Sequence, residues 1–279
     1  MMRRCGALLR RVATACIVMV VSLSPFNAHA TEQRLACVIH PSMEIRLASA
    51  MVGLLSDVPV DRGQVVEKGE VVAKLDSSVQ EVELMLAELR ASSNIETEIA
   101  RARFDLTETR GARIEELYAR QVATEEQYQE LQAERRLVAL ETERAAVEAQ
   151  AALLELQRAE TMLELQRMRS PIVGVVVERL LSPGEFVHQD APVLHLAQID
   201  PLHVEAFLPT SMLRTVQVGM TATVYPQDPV GGAYDATVLV VDQVVDAASS
   251  TFGVRLALPN PDGDLSAGLR CELALHLNP

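Results

Sequence analysis

The chain of 279 residues contains no tryptophan, and its other aromatic rings are limited to four tyrosines and five phenylalanines. Its hydrophobic cores must therefore be built from aliphatic side chains. Basic residues are outnumbered as well, with 25 lysines and arginines against 38 acidic residues and a net charge of −13. Because binding to phosphates requires a basic surface, we expect no nucleic-acid partner.

Long apolar runs are missing after residue 30, and the one near the start has the features of an export signal. Residues 12–23 are mostly apolar, and Ala28 and Ala30 supply small residues before a cleavage point. The run is shorter than the roughly 20 residues that a membrane anchor needs. Four arginines precede it: Arg3, Arg4, Arg10 and Arg11. We predict a cleaved signal peptide over residues 1–30 and a periplasmic location. A lipoprotein is the alternative, but neither Cys16 nor Cys37 has suitable neighbours.

Cysteine is scarce, and no two cysteines have the close spacing of a metal or redox motif. Removal of residues 1–30 would leave Cys37 and Cys271, and a net charge of −17 from 21 basic and 38 acidic residues. Disulfides persist along an export route. If the first and last strands of one domain are neighbours, Cys37 and Cys271 could pair. The alternative is that they are two unrelated small apolar residues.

The most informative positive feature is a repeat that is split in two. A pattern of glycines and aliphatic residues within residues 45–76 recurs 121 positions later, within residues 170–197. Gly53 matches Gly174, and Gly63 matches Gly184. At the position of Gly69 the second copy has Asp190, which also tolerates turn geometry. The repeat predicts two similar strand-turn-strand halves of one β domain, separated by a long insertion.

The insertion, residues 77–169, is predicted to be a helical hairpin. It has no proline before residue 169, only Gly111 as a glycine, and many strong helix formers. Periodicity is lost near residues 118–124, and Thr124 with Gln127 forms a capping box that starts a second helix. We therefore expect two antiparallel helices of about 42 residues, roughly 60 Å long, with Ser170-Pro171 ending the second one.

Two seams are predicted to hold the hairpin together as a coiled coil. In the second helix, apolar or small residues recur at heptad spacing from Leu131 to Leu163. In the first helix a looser stripe is formed by Val82, Leu86, Leu89, Ile99, Ala102 and Leu106. The rest of the chain, residues 199–277, returns to β alternation with five or six short strands. Together with residues 37–44, it predicts a small antiparallel β-barrel.

This order of parts resembles the periplasmic adaptors, or membrane fusion proteins, of the HlyD-like family that serves RND and ABC transporters. The resemblance is carried by the two half-repeats and by the apparent entry and exit of the barrel, Ile199-Asp200-Pro201 and Leu258-Pro259-Asn260-Pro261. It implies an α+β, elongated and modular fold with a split lipoyl-like domain. The membrane-proximal domain that many efflux adaptors carry is expected to be lacking.

The same resemblance implies partners. An adaptor links an inner-membrane RND or ABC transporter to a TolC-type outer-membrane channel, and it works as a homo-oligomer, a hexamer or a trimer of dimers. Many adaptors that meet such channels carry an arginine, a leucine four residues later and a serine seven beyond it at the hairpin tip. Arg113, Leu117 and Thr124 match that spacing, with threonine for serine. The alternative is an exposed arginine, a seam leucine and a helix cap.

Other classes of function have less support in the sequence. A lipoyl or biotinyl carrier needs a lysine at a tight turn between the halves, where this chain has its helical insertion; Lys68 and Lys74 are its only lysines. The histidines are scattered without metal-ligand spacing, and no catalytic constellation stands out. We therefore predict no enzyme activity and no cofactor. A structural scaffold of the same fold, without transport, stays open.

Overall fold

The computed structural model describes residues 34–276. The predicted signal peptide, residues 1–30, lies outside this range, as does residue 277 at the end of the predicted barrel. The described part has twelve strands and three α-helices. In chain order these are β1 Arg34–Ala48, β2 Gly53–Asp57, β3 Val65–Val66, β4 Val71–Leu75, α1 Ser78–Ser92, α2 Ile95–Ala119, α3 Glu125–Glu164, β5 Arg167–Arg169, β6 Gly174–Arg179, β7 Phe186–Val187, β8 Pro192–Pro209, β9 Thr221–Pro226, β10 Tyr234–Asp246, β11 Thr251–Leu258 and β12 Arg270–Leu275.

The two half-repeats form one β module by exchanging strands. β2 of the first half pairs with β7 of the second, and β3 pairs with β6. The registers are equivalent, because Leu54 pairs with Phe186 and Val65 pairs with Val175. Asp190 adopts a left-handed conformation with φ of 62°, where the first half has Gly69 with φ of 88°. The two half-repeats are therefore related by pseudo-twofold symmetry. The aliphatic residues of both halves meet in one core.

The pseudo-twofold symmetry does not hold for the surroundings of one pair of glycines. A Cβ atom on Gly174 would lie 2.3 Å from the backbone oxygen of Ala197, whereas on Gly53 it would meet only Leu75, at 3.6 Å. We expect Gly174→Ala to lower the free energy of unfolding by about 2–3 kcal/mol through overpacking. Gly53→Ala should change it by less than about 1 kcal/mol. Urea unfolding of both variants checks this, and equal effects would contradict it.

The inserted hairpin consists of α1, α2 and α3, and both α1 and α2 pack against α3. The prediction of one helix of about 42 residues in each arm was wrong for the first arm, which is broken between α1 and α2. Ser93 is extended, with φ of −79° and ψ of 121°. Beside it, the Ser92 hydroxyl donates to the Leu89 carbonyl, and the Thr97 hydroxyl donates to the Asn94 carbonyl. Such local side-chain hydrogen bonds compete with the helical ones and explain the break.

The predicted seam of the first arm was also wrong. The buried residues on that arm are small or hydroxyl-bearing: Ala87, Ala100, Thr107 and Gly111. The larger residues of the predicted stripe are exposed and are not buried against α3; Leu89, for example, is 68% exposed. On α3 the predicted seam does face the partner arm, where Leu131 and Ala145 are buried. Small residues bring the two arms close together, so the large ones are excluded from the contact.

The end of the hairpin differs from the prediction as well. α3 ends at Glu164, before the predicted Ser170-Pro171 stop, and residues 167–169 form the strand β5, which pairs with β4. Gln166, Met168 and Ser170 are buried in alternation with exposed neighbours. This period of two marks a half-buried strand, and it overrides the helical composition of the preceding residues.

The barrel has the strand order β1-β12-β9-β10-β11-β8 and is closed by pairing of β1 with β8. Its buried core is aliphatic apart from Phe252, Cys37 and Cys271. β1 and β8 are continuous through both β modules, and they pair from Cys37–Ala206 to Ala48–Pro192. The predicted module boundaries near residues 44 and 198 thus fall inside strands, so the barrel and the split module are joined by a paired ribbon.

Two tertiary features close the barrel. Cys37 and Cys271 are register partners on β1 and β12, with their Cα atoms 4.8 Å apart and their side chains joined in a disulfide. The buried Asn260 side chain donates to the carbonyls of Ile199 and Leu265, and it accepts from the Leu265 amide. The sequence segments that resembled the barrel entry and exit are thereby tied to each other.

Candidate partner-binding surface at the hairpin tip

The tip is the turn between α2 and α3, and its conformation is fixed by backbone hydrogen bonds. The Leu117 carbonyl accepts from the amides of Val122 and Ala123, at 2.9 and 3.3 Å. Gln121 adopts a left-handed conformation with φ of 62°. This closure satisfies carbonyls at the end of α2 that would otherwise lack a partner. The turn is therefore short and defined, and it presents its side chains in fixed directions.

Thr124 begins the second arm. Its hydroxyl accepts a hydrogen bond from the Gln127 amide, and the Gln127 side chain in turn accepts from the Thr124 amide. This is the predicted capping box. The hydroxyl is thus engaged in capping the start of α3, although the residue itself is exposed. Of the three residues in the tip motif, Thr124 has a structural role that does not depend on a partner.

Arg113 and Leu117 lie one helical turn apart near the end of α2, and both are exposed. Leu117 is 37% exposed and, with Val122 at 69%, lines an open groove at the tip. Among residues 34–276, Arg113 forms no salt bridge and no side-chain hydrogen bond. The arginine that lines the groove itself is Arg110, and Arg113 lies one helical turn before Leu117. The tip therefore presents guanidinium groups, each with five donors, close to apolar side chains. Such a surface suits contact with another helical protein.

Two contacts that sequence reasoning missed hold the arms together behind this surface. Tyr118 stacks on Tyr128 across the hairpin, with ring centroids 4.6 Å apart. The Tyr118 hydroxyl also donates to Glu125, which raises the pKa of Tyr118 and lowers that of Glu125. The stack turns Tyr118 toward the partner arm and away from the exposed surface.

The lone glycine of the hairpin has a packing role. The Arg135 guanidinium crosses from α3 and forms salt bridges with Glu108, at 3.2 Å, and with Glu115. A Cβ atom on Gly111 would lie 2.4 Å from that guanidinium. Gly111 therefore leaves the space through which Arg135 reaches both carboxylates. The absence of a side chain was visible in the sequence, but the residue that fills the space was not.

Elsewhere in residues 34–276, no group of three or more histidine, cysteine, aspartate or glutamate side chains has a metal-binding arrangement. His195 lies 3.5 Å from Glu44, and His203 is partly buried, which together with Arg255 lowers its pKa. The contact of His195 with Glu44 and the proximity of His203 to Arg255 both arise between neighbouring strands. Nor is any helix in this part of the chain both long enough and apolar enough to cross a membrane.

A split β module with an inserted helical hairpin, followed by a β-barrel, defines the class of periplasmic adaptors, or membrane fusion proteins. Residues 44–198 match the CzcB-like barrel-sandwich hybrid domain family, and residues 201–278 match the CusB-like β-barrel domain. The chain belongs to the family of the CzcB-like barrel-sandwich hybrid domain. The resemblance found in the sequence and the fold class that it implied are both confirmed.

Individual proteins agree with this assignment. The cation efflux system protein CzcB of Alcaligenes sp. (strain CT14) is 26% identical over 222 residues, which cover 78% of this chain and 40% of that protein. The chain thus spans about 40% of the length of this curated relative. The crystal structure of MacA from Actinobacillus actinomycetemcomitans superposes with a TM-score of 0.74 at 20% identity, covering 88% of this chain and 78% of that one. The membrane fusion protein Spr0693 from Streptococcus pneumoniae R6 gives 0.59 at 15% identity, covering 88% and 100%.

Proposed function

We propose that this protein is the periplasmic adaptor of a tripartite efflux or secretion system. In this role the hairpin tip binds a TolC-type outer-membrane channel, and the barrel contacts an inner-membrane RND or ABC transporter. The observation that carries the proposal is the tip itself, where Arg113 and Leu117 at the end of α2 and Val122 in the following hydrogen-bonded turn are all exposed. The name of the relative CzcB, a cation efflux system protein, supports export as the process.

The chemistry of the tip supports a helical partner. An arginine that forms no internal salt bridge can donate two parallel hydrogen bonds to a carboxylate or to helix-terminal carbonyls. Exposed aliphatic residues beside it can bury apolar area against a second coiled coil. Contact would transmit the state of the transporter to the channel along the hairpin, without any covalent chemistry by the adaptor. Homo-oligomers, a hexamer or a trimer of dimers, would place several tips around one channel.

The experiment that tests the proposal is site-specific photo-cross-linking in intact cells, with mass spectrometry of the adducts. Val122 is the position for the probe, because its side chain is 69% exposed, whereas Tyr118 is stacked on Tyr128. We expect an outer-membrane channel protein in the adduct. A probe at Glu160, an exposed residue at the other end of α3, is the matched control and should not capture the channel.

The alternative, a periplasmic scaffold without transport, predicts a different result from the same experiment. A probe at Val122 would then give only self-adducts or no adduct. That outcome would refute the channel contact. A channel adduct from both Val122 and Glu160 would also contradict the proposal, since it would show that the contact is not confined to the tip.

A further inference from the structure

A cavity of about 440 Å³ lies where the barrel meets the split module. Its floor is the sheet surface of β1, β8 and β6, and its wall is the segment 263–268, which leads from β11 into β12. Cavities that hold small molecules typically have volumes of about 300–1,000 Å³ and often lie between domains. This cavity therefore has the size and the position of a ligand site, and it shares no residue with the groove at the hairpin tip.

The floor of the cavity is the side of the sheet that faces away from the core of the split module. Val175 on β6 and Glu44 on β1 are both register partners of Ala197 on β8. Their sequence neighbours Val176 and Leu196 belong to the core, so by strand alternation these three residues lie on the opposite side. Ala197 is nevertheless only 4% exposed. The outer side of the sheet is therefore enclosed at this point, where the wall segment lies beside it.

The internal repeat shows that the barrel is needed to form the cavity. At the offset of 121 residues, Leu54 is equivalent to Val175, and Asp76 is equivalent to Ala197. The strands are joined in the same way, because the Asp76 amide donates to the Leu54 carbonyl at 2.8 Å. In this half, however, Leu54 is 45% exposed and Asp76 is exposed as well. The same strand arrangement is thus open where no barrel segment covers it.

The wall of the cavity is held in place from both of its ends. At one end, the buried Asn260 side chain donates to the carbonyls of Ile199 and Leu265. At the other end, the Gly268 amide donates to the Ile39 carbonyl at 2.7 Å. Gly268 has φ of 92°, a conformation that glycine adopts without steric cost. The cavity is therefore already formed without a ligand, which lowers the cost of binding one.

The charge of the lining is negative. Within the part of the chain that the structure describes, no lysine or arginine lines the cavity, and Glu44 supplies a carboxylate. Within residues 34–276 that carboxylate contacts only the imidazole of His195, at 3.5 Å, which is charged only when protonated. Asp262 and Asp264 flank the glycine at the start of the wall. The electrostatic potential of the cavity therefore favours a cation over an anion.

We propose that this cavity binds a small amphipathic organic cation, that is, a protonated amine on an apolar body. The body lies against Val175, Ala197 and Leu265, where it is removed from water. The ammonium group donates to the Glu44 carboxylate, because a charge in a largely apolar cavity needs a charged partner. This inference goes beyond the proposed adaptor function, since it concerns a ligand and not the partner at the hairpin tip.

The test uses three probes that share a naphthalene body and differ only in charge. Naphthylmethylamine is a cation at neutral pH, naphthalenemethanol is neutral, and naphthoate is an anion. The chain has no tryptophan, so the fluorescence anisotropy of naphthalene can be read in a titration with the exported protein. We expect the cation to bind more tightly than the alcohol by roughly tenfold or more, which is the effect of one hydrogen bond to a charged group. The anion should bind most weakly.

Two variants and two matched controls locate the binding. Glu44→Gln should reduce the affinity for the cation to that for the alcohol and leave the alcohol unchanged. Val175→Phe fills the cavity and should weaken both probes by roughly tenfold or more. Leu54→Phe makes a similar substitution at the equivalent position of the open half, and Glu160→Gln removes an exposed carboxylate on α3. Both controls should bind all three probes as the unchanged protein does, and circular dichroism checks the fold of each variant.

Equal affinities for the three probes would overturn the inference, and so would a cation affinity that Glu44→Gln does not change. Amide chemical shifts of the unchanged protein decide the location if Val175→Phe does not fold. The cation should shift the amides of Ala197 and Gly268 and leave that of Leu54 in place, whereas shifts confined to the hairpin would refute the site. Neither result depends on the cross-link from Val122, so the cavity and the proposed function can fail separately.

Discussion

Replacing Arg113 by aspartate is expected to abolish export while leaving the fold intact. The side chain is exposed and forms no salt bridge within residues 34–276, so reversing its charge removes no internal contact. In an interface with a channel, the same change replaces a hydrogen-bond donor by a carboxylate, which would repel the acceptor on the channel that the arginine binds. Arginines at the centre of an interface typically contribute about 2–4 kcal/mol, which corresponds to an affinity loss of roughly 30-fold or more. Export should fall to the level of the deletion strain, and channel adducts from a photo-probe at Val122 should be lost.

Leu117→Asp should have the same effect, because it places a charge in the apolar part of the tip surface. Its backbone carbonyl closes the turn, and that contact is kept in any variant. Arg101→Asp is the matched control, since it reverses the charge of an exposed arginine on the same helix but away from the tip. Unchanged export in Arg113→Asp and Leu117→Asp, with normal protein levels, would refute the tip assignment.

Thr124 needs a different experiment, because its hydroxyl caps α3. Loss of an N-cap side chain costs about 1 kcal/mol, so Thr124→Ala would mix a local folding effect with any effect on binding. Thr124→Ser keeps the cap and restores the residue that the tip motif usually has. The two substitutions therefore separate capping from recognition, and Thr124→Ser should leave export unchanged.

The parts of the fold that could be predicted are those that local sequence patterns indicate. The offset of 121 residues between Gly53 and Gly174 revealed the split module, and the capping box at Thr124 located the turn. What the patterns did not contain was the identity of the partner surface. Leu86 and Leu106 belong to a stripe with helical spacing, but the spacing alone does not identify the helix that packs against it. Small residues such as Ala87 and Ala100 form the inner seam because they allow closer approach of the two arms.

The remaining differences have the same origin in tertiary contacts. Met168 lies in a segment of helical composition, yet it is buried in a strand because β4 offers it an edge to pair with. The module boundary near residue 44 could not be seen, because β1 continues unbroken past it. Gly174 and Gly53 look equivalent in the repeat, and only the approach of Ala197 distinguishes them. Each of these depends on residues far away in the sequence.

The second large effect concerns the disulfide between Cys37 and Cys271. It links residues 234 positions apart, and it joins the first and last strands of the barrel. A cross-link that closes so long a loop lowers the conformational entropy of the unfolded chain, which contributes about 5–6 kcal/mol in the chain-entropy account. Without it, β1 and β12 are held by strand pairing and side-chain contacts alone. We expect reduction to lower the melting temperature by about 10 °C or more.

The measurement is thermal unfolding of the exported protein with and without a reductant, together with counting of free thiols by mass spectrometry after alkylation in denaturant. The variant with both Cys37→Ala and Cys271→Ala is the control, and it should melt slightly below the reduced protein, at a temperature that reductant does not change. Both side chains are buried, so truncation adds a small packing loss that the reduced native chain does not suffer. Two free thiols in the exported protein, or a melting temperature that does not respond to reductant, would contradict a stabilising cross-link. In either case the closure of the barrel would depend on the pairing of β1 with its two neighbouring strands.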